Sequence, residues 1–184
     1  MFKRRFYKLM LLNNKTAVVT GCNRGIGKKI LELFSSHKAN IFACTREIDD
    51  EFKFFIKKLN EKYNNEIIPI EFDLNNEIQI KDAANKILDT KFPIDILINN
   101  AATIHTAIFQ MTSTKKLKDI FETNFFSQTI FTQYILKSMI KQKSGSVVGI
   151  SSSSALDGNE GRSAYVASKA AMIAQAKVLS RELG

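Results

Sequence analysis

Residues 16–27, TAVVTGCNRGIG, join a short apolar run to a glycine-rich turn, and an amphipathic run continues from that turn to His37. The first run is typical of a buried strand and the last of a helix. Glycines let such a turn bend tightly and approach a phosphate, whose charge the free N–H groups of a helix N-terminus attract. A plain glycine turn is the alternative, since the spacing is GxxxGxG and not GxGxxG. The order of strand, glycines and helix favours a dinucleotide site, and its candidate residues are Gly21, Asn23, Arg24, Gly25, Ile26 and Gly27.

The alternation of short apolar runs and longer amphipathic runs continues along the chain. The predicted strands are residues 16–20, 39–45, 67–72, 95–98 and 146–150. The predicted helices are residues 25–37, 49–63, 77–90, 115–142 and 164–183. Because strands that alternate with helices form parallel sheets covered on both faces, we predict a three-layer α/β fold, a Rossmann-type doubly wound parallel sheet. Ligands of such sheets bind at the carboxyl ends of the strands.

Length and composition indicate a single domain. The chain has 184 residues, of which 45% are hydrophobic and 24% charged, as in ordinary globular proteins. We predict a domain at residues 15–184 after a basic N-terminal extension at residues 1–14, whose charges are Lys3, Arg4, Arg5 and Lys8. The extension lacks the apolar length and cleavage site of a signal peptide. No run reaches the roughly 18 apolar residues of a membrane span, so we expect no membrane partner.

Charge and cysteine content narrow the function classes further. The net charge of +9 is spread along the chain and accompanies no nucleic-acid-binding motif, so we expect no nucleic-acid partner. The two cysteines, Cys22 and Cys44, are too few for a disulfide framework or a metal site. They are typical of a reducing, cytoplasmic location.

The end of the second predicted strand distinguishes between the two nicotinamide cofactors. An NAD site places an acidic residue there, against the ribose 2′-hydroxyl, but this chain has Thr45 followed by Arg46. The guanidinium groups of Arg46 and Arg24 are suited to a 2′-phosphate. Each arginine also fits an ordinary surface position, and Glu47 follows closely. The pattern therefore favours NADP(H) and leaves NAD(H) as the alternative.

Two other strand ends carry candidate cofactor contacts. Asp73 follows the third strand, where its carboxylate can accept from an adenine amino group or cap the next helix. The fourth strand ends in Asn99-Asn100-Ala101-Ala102, whose small residues leave room for a cofactor and whose amides can brace neighbouring strands. The predicted contacts at these two ends are Asp73, Leu74, Asn100, Ala101 and Ala102.

A candidate acid/base pair lies near the end of the chain. Tyr165 and Lys169 are four residues apart in a helical run, so they share a helix face. A nearby ammonium lowers the pKa of a phenol toward working pH. Ser152 follows the apolar run SVVGI, and its hydroxyl can hold the oxygen that Tyr165 protonates. Taken alone, YxxxK also fits a solvated surface pair, and Ser151 is the second choice of serine.

Together these motifs resemble those of the short-chain dehydrogenase/reductase family, and within it those of the 3-oxoacyl-[acyl-carrier-protein] reductases. The matching elements are TGCNRGIG at residues 20–27, Asp73, NNAA at residues 99–102, Asn124, Ser152, Tyr165 and Lys169. They occur in family order from Lys15 to Gly184. Ala102 replaces the glycine of the family's NNAG motif.

The resemblance implies a catalytic set of Asn124, Ser152, Tyr165 and Lys169. Tyr165 would donate a proton to a substrate carbonyl as hydride arrives from the nicotinamide, and Ser152 would orient that carbonyl. Lys169 would lower the pKa of Tyr165 and, together with Tyr165, contact the cofactor. Asn124 would position a water that links Lys169 to solvent. No metal is implied.

The resemblance also sets out the alternatives for function. Family members continue after the last helix with a strand, a mobile substrate-covering segment and a final strand, whereas this chain ends at Gly184. We therefore expect a sheet without its last strands and a site without its lid. The preferred function is NADPH-dependent reduction of a 3-oxoacyl thioester carried on acyl carrier protein. The alternatives are a sugar or polyol dehydrogenase and a non-catalytic nucleotide-binding remnant.

The resemblance implies a homo-oligomer, either a dimer or a tetramer. The apolar residues of the long fourth helix suit an interface between subunits, and they suit packing within one subunit equally well. These residues are Phe125, Phe126, Ile130, Phe131, Tyr134 and Ile135.

Overall fold

The secondary structure alternates strands and helices as predicted. The strands are β1 (Thr16–Thr20), β2 (Asn40–Thr45), β3 (Ile67–Glu71), β4 (Ile96–Asn99) and β5 (Ser146–Gly149). The helices are α1 (Gly25–Ser36), α2 (Asp50–Tyr63), α3 (Glu77–Asp89), α4 (Thr114–Phe121), α5 (Ser127–Gln142), α6 (Ser154–Asp157) and α7 (Ser163–Leu183). The structure, a computed structural model, describes residues 10–184. The predicted basic cluster at residues 3–8 lies outside this range.

The five strands form one parallel sheet in the order β3-β2-β1-β4-β5. Val18 in the central strand lies opposite Phe42 of β2 on one side and Leu97 of β4 on the other. The chain crosses from one half of the sheet to the other between β3 and β4, so the carboxyl ends of β1 and β4 flank a topological switch point. Ligands of doubly wound sheets bind in the crevice at this point. The prediction of a Rossmann-type parallel sheet is confirmed.

Helices cover both faces of the sheet and create two apolar cores. On one face, α3 and α5 pack against the strands around Phe131, which is fully buried and lies 5.1 Å from Phe72 between ring centroids. On the other face, α1 and α2 pack around Leu31 and Ile56. The strands β1 and β2 are buried almost completely, which explains why their sequences are continuous apolar runs and not alternating ones.

The predicted helix at residues 115–142 is interrupted. A π-helical turn, Glu122–Phe126, separates α4 from α5. A reading of apolar spacing assumes one regular α-helix over the whole segment, so it does not reveal the π turn. The short helix α6 falls in the serine-rich segment, where no helix is predicted from the sequence.

The apolar residues of α5 and the π turn face two ways. Phe131 and Ile135 are buried inside the chain, whereas Phe126 is half-exposed at 50%. Phe125 and Tyr134 are partly buried. Interior packing therefore accounts for part of the predicted interface, and a subunit contact through the remainder stays a prediction.

The last strand departs from the expectation of burial on both faces. All four residues of β5 are exposed, and Val147 and Val148 keep 37% and 40% of their surface. Within residues 10–184, β5 pairs only with β4. Among the described helices, none is long and apolar enough to cross a membrane.

Replacement of Phe131 by alanine should lower the free energy of unfolding by about 3–5 kcal/mol, because it empties a fully buried ring position. Urea unfolding followed by circular dichroism measures the change. Phe54→Ala, at a position 70% exposed, should shift the same free energy by no more than about 0.5 kcal/mol. Equal losses in the two variants would contradict this assignment of the core.

Candidate active site

Close backbone contacts build the glycine-rich turn between β1 and α1. Gly21 has a φ of 64°, and its N–H donates to the carbonyl of Cys44 at 2.9 Å. A Cβ atom at Gly21 would lie 2.7 Å from the Cα of Ala101, and one at Gly27 would lie 2.2 Å from the carbonyl oxygen of Gly21. Side chains at either position would force the turn, the end of β4 and α1 apart. The sequence therefore needs glycine at both positions.

The N-terminus of α1 is open to a ligand. Arg24 occupies the N-cap position without a side-chain capping bond, and the first turn contains no acidic residue. The first N–H groups of a helix have no partner within the helix and carry its positive dipole end. This end of α1 is therefore suited to bind an anion.

A cleft of about 930 Å³ opens at this edge of the sheet, which is within the range of small-molecule sites, about 300–1,000 Å³. The predicted cofactor residues that line it are Gly21, Asn23, Arg24, Thr45, Arg46, Asp73, Leu74, Asn100, Ala101 and Ala102. Gly25, Ile26 and Gly27 lie in the first turn of α1 and do not line the cleft, and neither do Tyr165 and Lys169 on α7. α4 and the π turn form a further wall of the cleft that is not predicted from the sequence. The residues of this wall are Lys115, Asp119, Glu122 and Thr123. These residues belong to no motif, so only the fold brings them here.

Two unpaired cations, Arg24 and Arg46, line the cleft. Arg24 and Arg46 are exposed, and neither side chain has an ion-pair or hydrogen-bond partner within residues 10–184. The acidic residues of the lining are Glu47, Asp73, Asp119 and Glu122. Free guanidinium groups beside an uncapped helix N-terminus fit a ligand with several phosphates, and this is the chemistry of a nicotinamide dinucleotide.

Asp73 stabilises the loop that follows β3. Its Oδ1 accepts from the N–H of Asn75 at 2.8 Å, and its own N–H donates to Gln79 Oε1 at 2.8 Å. The N-cap of α3 is Asn76, so Asp73 does not cap this helix. Its second carboxylate oxygen has no donor in the described part of the chain and is free for a ligand in the cleft.

Two side chains, Asn100 and Thr20, fix the chain where it leaves β4. Asn100 Nδ2 donates to the carbonyls of Thr20 and Gly21, both at 2.9 Å. The hydroxyl of Thr20 accepts from the N–H groups of Asn100 and Ala101 at 3.0 and 3.1 Å. Asn100 therefore has the bracing role expected for the asparagines. Its hydrogen bonds join the end of β4 to the glycine turn.

Lys169 lies inside the protein on α7. It is 1% exposed, and its Nζ donates to the carbonyl of Ile150 at 2.6 Å. Its other described contact is the sulfur of Met172 at 3.7 Å. Removal from water lowers the pKa of Lys169 from 10.5 to about 8, because burial penalises the charged form. The ammonium contacts no carboxylate within residues 10–184, and any influence on Tyr165 acts through space.

The two candidate serines have different partners. Ser151 Oγ donates to the backbone carbonyl of Lys169 at 2.9 Å, so its hydrogen is used in holding α7. Ser152 Oγ accepts from the N–H of Ser154 at 3.2 Å, which leaves its own hydrogen free. Tyr165 is half-buried one turn before Lys169. Its phenol likewise has no hydrogen-bond partner among the residues that the structure describes.

Asn124 connects the cleft to the helix that carries the Tyr–Lys pair. Its Oδ1 accepts from the N–H of Thr103 at 2.8 Å, and its Nδ2 donates to the carbonyl of Thr103 at 2.9 Å and to Ser168 Oγ at 3.1 Å. Thr103 lines the cleft, and Ser168 precedes Lys169. Because both amide hydrogens are used, the side chain has no donor left for the water expected from the sequence. Asn124 acts here as a brace.

Comparison with known proteins agrees with this architecture. The family model of the short chain dehydrogenases matches residues 15–184. The 3-oxoacyl-[acyl-carrier-protein] reductase FabG of Chlamydia muridarum is 32% identical over 176 residues, which cover 95% of this chain and 70% of the relative. The FabG of Aquifex aeolicus is 32% identical over 172 residues and is covered to 69%. The chain thus spans about 70% of the length of these relatives.

Solved structures show the same fold. A short-chain type dehydrogenase/reductase from Mycobacterium marinum superposes with a TM-score of 0.87 at 24% identity, over 95% of this chain and 71% of the other. L-sorbose reductase from Gluconobacter frateurii, solved with NADPH and L-sorbose, superposes with a TM-score of 0.88 at 23% identity, over 95% and 66%. This chain belongs to the short-chain dehydrogenase family. It is an oxidoreductase that depends on a nicotinamide cofactor.

Lys169 should titrate at about pH 8 in the cofactor-free protein. ¹³C NMR of the lysine ε-carbons, assigned by comparison with Lys169→Met, measures this value. Between about pH 8 and 10.5 the unfolded chain keeps a proton that the folded one has lost, so this residue should raise the free energy of unfolding as pH increases through that window. A Lys169 titration at its ordinary value of 10.5 would contradict the burial of the ammonium.

Proposed function

We propose that this protein reduces the ketone of a 3-oxoacyl thioester, carried on acyl carrier protein, with NADPH. The observation that carries the chemistry is the position of Tyr165 and Lys169 on α7, joined through Ser168 and Asn124 to the rim of the dinucleotide cleft. The substrate class comes from the FabG relatives, which are 32% identical to this chain. The experiment that tests the proposal is a reductase assay with acetoacetyl thioesters, with L-sorbose as the contrasting substrate.

The side chains divide the work of the reaction. Bound NADPH supplies hydride to the carbonyl carbon. Ser152 donates its free hydroxyl hydrogen toward the carbonyl oxygen and fixes its orientation. Tyr165 delivers a proton to that oxygen, since its phenol has no competing partner in the described chain. Lys169 follows Tyr165 by one helical turn, so its positive charge would lie on the same part of α7.

The glycine turn, the strand ends and the cations would hold the cofactor. The uncapped N-terminus of α1 would bind the pyrophosphate, and the free oxygen of Asp73 would accept from the adenine amino group. The unpaired guanidinium groups of Arg24 and Arg46 suit a ribose 2′-phosphate. Preference for NADP(H) over NAD(H) rests on these two arginines.

Replacement of Tyr165 by phenylalanine should lower kcat of carbonyl reduction by about 10²–10⁴-fold, the usual contribution of a general acid. The dissociation constant of NADPH, measured by fluorescence titration, should change little because the cleft walls are untouched. Tyr134→Phe, on α5 and packed against the core around Phe131, is the control and should keep full activity. Equal turnover by Tyr165→Phe and wild type would remove Tyr165 from the mechanism, and cofactor binding without any wild-type turnover would favour a non-catalytic protein.

The double replacement of Arg24 and Arg46 by alanine should raise the dissociation constant of NADPH by about a hundredfold or more, since each lost charge-assisted contact is worth about 1.5–3 kcal/mol. Affinity for NADH should stay nearly constant, because NADH lacks the 2′-phosphate. Arg181→Ala, on the exposed last turn of α7, controls for the loss of positive charge. Parallel weakening of both cofactors would argue against recognition of the 2′-phosphate.

A further inference from the structure

Three side chains of the π turn and α5 form hydrogen bonds with the end of β4 and with the segment that follows it. Their partners in that stretch are two residues apart. Asn124 holds the N–H and the carbonyl of Thr103 at 2.8 and 2.9 Å. Gln128 Nε2 donates to the carbonyl of Ala101 at 2.7 Å. The hydroxyl of Thr132 accepts from Asn99 Nδ2 at 2.7 Å. We call these three contacts the α5 ladder, and its rungs join residue 124 to 103, 128 to 101 and 132 to 99.

The spacing of the ladder follows from helix and strand geometry. Four residues of helix advance about 6.0 Å, at 1.5 Å each. Two residues of extended chain advance about 6.6 Å, at about 3.3 Å each. The two repeats nearly match, so a polar side chain at every fourth helix position can meet every second residue of an extended segment. The ladder thus holds the chain past the point where the strand pairing of β4 ends.

The middle rung lies directly beneath the cleft. Gln128 is 2% exposed, and its amide meets the carbonyl of Ala101, a residue of the cleft wall. Its Oε1 lies 3.4 Å from the hydroxyl of Thr20, which accepts from the N–H groups of Asn100 and Ala101. Gln128 and Thr20 together therefore fix both polar groups of the Ala101 backbone.

Burial of this glutamine is not explained by packing alone. A primary amide removed from water destabilises a protein unless it is hydrogen-bonded, and an apolar side chain of similar length would fill the same volume. The partners that Gln128 finds are backbone and hydroxyl groups at the cleft floor. The hydrogen bond between Gln128 and Ala101 stabilises one position of the Ala101 backbone. Without it, this backbone could shift and displace a ligand in the cleft.

We infer that Gln128 is a positioning residue for the nicotinamide cofactor, acting through the backbone of Ala101. This inference rests on the proposed function, since it concerns the same cleft. Gln128 itself touches no cofactor atom. It fixes the position of the Ala101 backbone relative to the glycine turn, where Gly21 lies against Ala101.

The chain offers a matched control on the same helix. Gln142 also lies on α5, and its Nε2 also donates to a backbone carbonyl, that of Ile94, at 2.6 Å. Ile94 precedes β4, at the strand end opposite the cleft. Gln128→Met and Gln142→Met thus each remove one side-chain amide bonded to the backbone near β4, and only the first removes it at the cleft.

The test measures the dissociation constant of NADPH by fluorescence titration and the midpoint of thermal unfolding for wild type and both variants. Both variants should unfold at a lower temperature. Gln128→Met should raise the dissociation constant of NADPH about fivefold or more, as expected for one lost hydrogen bond, whereas Gln142→Met should leave it unchanged. Gln128→Glu keeps the length but places an acceptor against the Ala101 carbonyl, so it should bind NADPH no better than Gln128→Met.

The outcomes separate this inference from the proposed function. Wild-type binding of NADPH together with unchanged binding by a folded Gln128→Met overturns the inference alone. Equal weakening in Gln128→Met and Gln142→Met also overturns it, since that result reports lost stability and not position. A folded wild-type chain that binds neither NADPH nor NADH overturns the proposed function, and the inference with it.

Discussion

Backbone groups beyond the end of a strand need hydrogen-bond partners, and those of Ala101 and Thr103 in this protein find theirs in side chains, as does the N–H of Asn100. Unpaired backbone groups are costly when they are buried. Thr20 satisfies the N–H groups of Asn100 and Ala101, Gln128 satisfies the carbonyl of Ala101, and Asn124 satisfies Thr103. These hydrogen bonds replace a strand partner for this segment, and the glycine turn packs directly against Ala101.

This arrangement requires a polar column inside an otherwise apolar layer. Asn124, Gln128 and Thr132 are all buried, and they lie beside the core residues Phe131 and Ile135 on the same helical segment. The apolar residues supply the transfer free energy that drives folding, while the amides and the hydroxyl have only a few geometries in which they are satisfied. Such groups fix the position of α5 along β4 more narrowly than apolar contacts would.

Lys169 shows the opposite case of a buried polar group that is only partly satisfied. An ammonium has three hydrogens, and its described contacts are one carbonyl and one sulfur. The charged form is therefore disfavoured, and the pKa falls to about 8. The fold carries this penalty one helical turn from Tyr165, at a cation without a carboxylate partner in the described chain. Perturbed groups of this kind cluster at functional sites.

Much of this architecture could be predicted from the sequence, because the signals were local. Apolar runs located β1 to β5, and the glycine spacing located the turn that approaches Ala101. The π turn and the ladder could not be predicted, since both depend on how a helix meets a distant strand end. In a regular helix each step of four residues turns about 40° past a full circle, so a series such as 120, 124, 128 and 132 drifts off one face. A π turn, with hydrogen bonds that span five residues, holds more residues per turn and lessens this drift where Asn124 must meet both Thr103 and Ser168. The interruption of the helix is therefore part of how the cleft and the Tyr–Lys helix come to share one asparagine.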